Sequence, residues 1–321
     1  MTIPASTALP IARYRFTAVV QQPLPLPDYA GSLLRGQFGA ALRQVACMTR
    51  QPTCPGCPLL QTCPYTRVFE APAPAKGQHS LQDFSQIPNP YVMEPPAPGA
   101  RLLETGAVLV FHLVLVGHAI DQLALILFAL QRALAQGLTR QRAPAELLQV
   151  ECLDAHGVAQ AVWSREHPIL AEHSARLAVP MAPADIGAGL VLNVHTPLRL
   201  QHQGRPLGVA QLTPRALVAA LARRIALLMD LHAGLGGWGD AARRVTQQAE
   251  SLTDQRDLSW HDWTRYSSRQ QQEMTLGGVL GRWQLSGDPT TLAALWPWLW
   301  LGQWLHVGKN ATMGMGGYQL N

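Results

Sequence analysis

Apolar and polar positions alternate through Arg13–Val20, a β-branched stretch that reads as a strand, and the prolines between Pro23 and Pro27 stop it. The period then changes. From Asp28, expected as the N-cap, Leu34, Phe38, Ala41, Leu42 and Val45 recur at helical spacing to about Ala46. Residues 71–99 show little periodicity and much Pro, Ala and Gly, so 71–100 is expected to be a long surface connection. Ala107–Gly117 reads as a buried strand with His112 inward, Ala119–Ala135 as an apolar helix, Gly137–Arg142 as a basic turn, and Leu147–Leu153 as a strand carrying a core Cys152.

The second half repeats this order. Gly189–Leu198 is a strand; Thr213 and Pro214 open a helix as N-cap and first residue, burying Leu217, Leu221, Ile225, Leu228 and His232 while Arg223 and Arg224 face away. Ser259–Gln270 and Leu276–Gly281 read as a strand and a hairpin. Trp296, Trp300 and Trp304 mark a helix packed by its tryptophans, and a glycine-rich segment leads to a last strand at Tyr318–Leu320. Each half fits a ferredoxin-like βαββαβ unit, so the chain is expected to be α+β with two tandem domains, 10–180 and 181–321.

At 321 residues and 48% hydrophobic, the chain can fill two cores. Its charge of +5 and pI near 9.2 rest almost wholly on arginine, because Lys76 and Lys309 are the only lysines. Arginine's planar fork suits phosphate, which favours a nucleic-acid partner. The start lacks the basic and apolar regions of a signal peptide, and the apolar runs 107–134 and 292–305 are interrupted or short. A cytoplasmic protein without membrane contact is expected.

Three clusters carry candidate chemistry. Cys47, Cys54, Cys57 and Cys63 fall within a short stretch, and thiolates so grouped in a reducing compartment are usually metal ligands. A zinc ion is the common occupant of such a set; the spacing also resembles the iron–sulfur loop of endonuclease-III-type DNA glycosylases, so a 4Fe–4S cluster stays open. On the first helix Arg35, Gly39 and Arg43 share one face where a sugar–phosphate backbone could approach, and Arg140 and Arg142 make a basic turn. In residues 308–317, glycines at Gly314, Gly316 and Gly317 rule out a regular helix, and outward amides beside Lys309 would attract an anion.

Tyr266-Ser267-Ser268-Arg269-Gln270, Gly277-Gly278-x-x-Gly281 and Leu305-His306-Val307-Gly308-Lys309-x-x-x-Met313-Gly314-Met315-Gly316-x-Tyr318 resemble the C-terminal signature of the CRISPR repeat-processing endoribonucleases of the RAMP superfamily. Leu34-Arg35-Gly36-x-Phe38-Gly39-x-x-Leu42-Arg43 and Cys63-x-Tyr65-x-x-Val68-Phe69-Glu70 are similar to its Cys-containing members. The resemblance implies two RRM-like domains with a cysteine-rich insertion at about 47–63, a glycine-rich loop gripping RNA, and cleavage of precursor CRISPR RNA. It further implies a metal-independent reaction, in which a ribose 2′-hydroxyl attacks the adjacent phosphate and leaves 2′,3′-cyclic phosphate and 5′-hydroxyl ends. Many members place a histidine in or near the first helix, and here that helix has none.

His306 is therefore expected to serve as acid or base, Tyr29 or Tyr266 to orient the sugar, and Lys309 to stabilise the phosphate. Arg35, Arg43, Arg140, Arg142, Arg265 and Arg269 are expected to hold RNA with Gly39, Gly314, Gly316 and Gly317. Repeat RNA and other CRISPR effector subunits are the partners implied. Two rival expectations are a non-catalytic RAMP subunit that caps guide RNA and an iron–sulfur DNA-repair enzyme; the missing helix-hairpin-helix before Cys47 counts against the second.

Overall fold

The computed structural model describes residues 8–74, 77, 79, 87–187, 189–267 and 272–321, with the backbone alone at 264–267 and 272–275. The chain forms two compact units, Pro10–Leu177 and Ala178–Asn321 together with its first residues.

The Pro10–Leu177 unit comprises β1 (Ile11–Val20), α1 (Gly31–Ala46), the short α2 (Pro64–Phe69), β2 (Tyr91–Glu94), β3 (Val108–Val116), α3 (Leu123–Gln136), β4 (Ala145–Leu153) and β5 (Ala159–Ser164). Its sheet runs β2-β3-β1-β4-β5. With β5 set aside as an added edge strand, this is the antiparallel order of a ferredoxin-like unit. On β1, Tyr14, Phe16, Ala18 and Val20 are buried while Arg13, Arg15 and Thr17 are not. Phe16 stacks on Phe111, and Leu34, Phe38, Ile126 and Leu130 of the helices complete the core.

Three local expectations need correction. Helix α1 begins at Gly31 after Ala30, with no side-chain cap, because Asp28 turns its carbonyl to the Gly99 N–H and Tyr29 and Ala30 are buried first. The surface connection contains β2, a fully buried edge strand bracketed by prolines that an edge tolerates. His112 lies on the opposite sheet face from Phe111, opposite Arg15 and Glu94 in the ladders. There Arg13 pairs with Glu94 and Arg15 with Glu151, both at 2.7 Å. Desolvation, with help from Arg13, lowers the His112 pKa to about 4.

One helical stretch among the described residues, Gly117–Gln136, is long and apolar enough to cross a membrane. Its Leu123, Ile126, Leu127, Leu130 and Leu134 belong to this unit's core.

The other unit comprises β6 (Gly189–Leu198), α4 (Pro214–His232), α5 (Trp238–Gln248), β7 (Thr253–Ser267), β8 (Gln272–Ser286), α6 (Pro289–Leu305) and β9 (Tyr318–Leu320). Its order β7-β8-β6-β9 again matches a ferredoxin-like sheet. Thr213 caps α4 through the Ala216 N–H at 3.1 Å, and the expected buried face is buried. Arg224 does not face away: its Nε donates to the Leu305 carbonyl at 2.8 Å and caps α6. Strands β7 and β8 form one continuous hairpin of 15 residues on each side. Gly277, Gly278 and Gly281 therefore sit within a strand, where they admit close neighbours, and not in a turn. On α6, Trp304 is buried and Trp296 and Trp300 half-buried, while Trp298, outside the expected stripe, is buried against Trp238.

Candidate nucleic-acid interface

Strand β6 ends irregularly. Its pairing with β8 is regular from Gly189 opposite Ser286 to Val194 opposite Gly281, then resumes at Leu198 opposite Val279. His195, Thr196 and Pro197 thus leave the ladder as a bulge.

Two glycine groups close on that bulge. At Gly278 a Cβ would stand 2.8 Å from the Leu198 carbonyl oxygen. At Gly317 it would stand 3.0 Å from Thr196 Oγ1, 3.1 Å from His195 Cε1 and 2.8 Å from His306 Cε1. Hydrogen bonds fasten the terminal loop to the bulge: Gly316 N–H donates to Pro197 O at 3.0 Å, Gly317 N–H to Thr196 Oγ1 at 2.7 Å, and Thr196 Oγ1–H to Gly314 O at 2.7 Å. Lys309 N–H donates to Arg199 O at 2.8 Å, and Arg199 Nη1 donates to Gly277 O of β8 at 3.0 Å.

The amides of Val307, Lys309, Met313, Gly314, Gly316 and Gly317 are consequently spent inside the unit. Gly314, Gly316 and Gly317 are buried, so the outward face of the loop narrows to its tip at 308–312, where Lys309 is exposed. The glycines supply backbone geometry instead of an open cradle. Gly308 and Gly316 have φ of +90° and +73°, and a Cβ on Gly316 would strike the Val307 carbonyl.

His306 is the C-cap of α6 and is 2% exposed. Its Nδ1 lies 3.0 Å from Gly314 O and 3.2 Å from Met315 O, and two carbonyl acceptors assign the ring proton to Nδ1. The backbone there has φ +56°, an arrangement that costs a non-glycine residue about 1–3 kcal/mol and persists only where surroundings impose it. His195 is exposed beside Gly317. Sequence reading assigned no role to His195, Thr196 or Arg199. The available signal was Pro197, which cannot donate to a ladder and so marks where a central strand must deform.

The α1 arginines are engaged within their own unit. The Arg35 guanidinium lies 4.5 Å from the Phe69 ring centroid. Arg43 Nη2 donates to Gln51 O at 2.6 Å and Pro52 O at 2.8 Å. Gly39 packs directly on the Phe69 ring, leaving no room for a Cβ. Tyr29 is 4% exposed, and burial followed by the Glu94 charge raises its phenol pKa far above the ordinary value. Arg140 and Arg142 are exposed on their turn. Arg265 and Tyr266 lie on β7 opposite Met274 and Glu273, known by backbone only, and Arg269 falls outside the described residues.

Cys47, Cys54, Cys57 and Cys63 are free thiols lining one small cavity with Thr49 and Tyr65. Burial, then the Glu70 carboxylate, pushes the Cys54 thiol up. Among the described residues no three His, Cys, Asp or Glu side chains already stand in metal-ligand geometry.

A solved Cas6 product complex is 18% identical, with TM-score 0.59, over 97% of this chain and 99% of that one. A Thermus thermophilus Cas6 is 16% identical, with TM-score 0.54, over 99% and 100%. A partial Cas6-RT-Cas1–Cas2 complex is 15% identical, with TM-score 0.55, over 100% of this chain and 47% of that one. These likenesses carry the fold alone. No curated protein matches the sequence. Residues 9–175 match a family model described as the AF_1859 N-terminal domain, and residues 192–318, which hold the bulge, the hairpin and the glycine loop, match CRISPR-associated endoribonuclease Cas6. The chain is a CRISPR repeat-processing endoribonuclease of the RAMP type, with a Cas6 domain at residues 192–318.

Proposed function

We propose that this endoribonuclease cleaves repeat RNA by internal attack of a ribose 2′-hydroxyl on the neighbouring phosphate, leaving a 2′,3′-cyclic phosphate and a 5′-hydroxyl. The observation that carries the reading is the fastened loop, which presents the exposed Lys309 on a rigid tip while exposed His195 stands on the bulge that holds the loop. In-line attack needs a base at the 2′-oxygen, an acid at the departing 5′-oxygen and a cation for the phosphorane-like charge. Lys309 supplies the cation and His195 a proton-transfer group. His306, expected from sequence to transfer protons, positions the loop through Gly314 and Met315.

The partner is CRISPR repeat RNA, in keeping with the product complex of the similar Cas6, and the protein works in the cytoplasm. The Cas6-RT-Cas1–Cas2 assembly supports contact with other CRISPR proteins as well.

Repeat RNA labelled at one end, incubated in chelator with the wild type, should give cyclic-phosphate and 5′-hydroxyl ends. Lys309→Ala and His195→Ala should each lose about 10²-fold or more in single-turnover rate while keeping a wild-type melting curve. Full activity in His195→Ala would remove that residue from the chemistry. Stoichiometric RNA binding without cleavage by the wild type would leave a guide-capping subunit.

A further inference from the structure

The segment 47–63 has neither helix nor strand and no buried residue, yet it follows a defined path. Its non-exposed residues are Cys47, Cys54, Cys57, Leu59, Leu60 and Cys63. The inside of this loop is thus built mainly of thiols. An apolar core of two half-buried leucines is a poor reason for so long a loop to be ordered, because each residue's conformational freedom has to be offset.

The turns aim the sulfurs together. Cys57 N–H donates to Cys54 O at 3.0 Å around Gly56 at φ +84°, so the Cys54-Pro55-Gly56-Cys57 turn brings two thiols to one side. Cys63 N–H donates to Leu59 O at 2.8 Å, which folds the last cysteine back. All four then border a single cavity of about 20 Å³.

We propose that these four cysteines bind one tetrahedral metal ion, zinc in the protein as made in the cell, and that this ion fastens the loop under α1. The donor set is four thiols on a short loop with a two-residue spacer in its tight turn, the chemistry of a structural zinc site. The four sulfurs border one cavity without standing at ligand geometry, so binding requires their side chains to close on the ion. The cavity has space for a single ion. The metal's effect on the fold passes through Arg43, whose Nη2 bonds to the Gln51 and Pro52 carbonyls tie α1 to the loop.

The test is elemental analysis and visible absorption of the full-length protein purified anaerobically without added metal, followed by thermal melting with and without a chelator. Expected are about one zinc per chain, no broad visible band, a lower melting temperature after chelation, and recovery on adding zinc. Cys57→Ser should lose the zinc, while Cys152→Ser, outside the loop, keeps it. If Cys57→Ser fails to fold, cobalt substitution of the wild type reads the site directly through its thiolate-to-metal absorption. A visible iron–sulfur band with iron and sulfide in the protein overturns the single-ion assignment. Metal-free protein whose melting ignores zinc and chelator overturns the site altogether.

Discussion

At the scale of single residues, the family's glycines act here through what lies against them. Gly316 combines φ +73° with a Val307 carbonyl where a Cβ would go. Gly316→Ala should destabilise the protein by about 2–4 kcal/mol, combining positive-φ strain and steric displacement, as read from urea unfolding. His112 offers a titration. Its folded pKa, lowered to about 4, lies below the unfolded value near 6.5, so the unfolded chain binds more protons between those limits. Stability should therefore fall as pH drops from about 6.5 to 4, on the order of 1–2 kcal/mol from this group, and His112→Gln should flatten that limb in melts at pH 5 and 7. The glycines were legible as special positions from sequence. Their burial was not, because nothing local distinguishes a glycine open to a ligand from one pressed on a neighbouring carbonyl. His306 shows the same limit: its position in the motif was plain, but its acceptors, Gly314 and Met315, are set by the path of a loop folding back.

At the scale of elements, α1 is the clearest case of a face with two explanations. Arg35, Gly39 and Arg43 at successive turns read as a surface for a phosphate backbone. In the fold they meet Phe69, Phe69 again, and the cysteine loop carbonyls. Phe69 itself is held by Tyr65, Phe38 and Tyr91, so it has little freedom to yield. Gly39→Ala is thus expected to cost about 1–3 kcal/mol through overpacking, whereas Gly36→Ala, whose added Cβ would meet nothing within 4 Å, should be neutral or stabilising in the same melts. The long periodic elements α1, α4 and β1 were readable because their buried faces repeat. Strand β2 was hidden, since four residues between prolines carry too short a pattern to separate from a connection. The β7–β8 hairpin was underestimated for the opposite reason, its glycines being taken as turns when they mark close approaches within a strand.

At the scale of the whole chain, the repetition of a βαββαβ order was visible in the sequence and recurs in both sheets. The positive charge is small and dispersed, with 25 basic against 20 acidic residues, and several arginines are committed to internal bonds or carboxylates. Those arginines are not available to phosphates, so RNA affinity should depend only moderately on salt. Plotting log Kd against log salt should show Lys309→Ala reducing the slope by about 1. An unchanged slope would mean that Lys309 meets no phosphate.

Arg199 adds a mechanical consequence. Its side chain grips the Gly277 carbonyl of the hairpin, while its own carbonyl holds the Lys309 amide. Hairpin and loop tip are therefore hinged on one residue, and a force that displaces the strand at Gly277 loads the pivot that aims the lysine. Arg199→Met, which keeps length and loses the grip, would leave both parts present but let them drift independently, trading a fixed aim for a loose one.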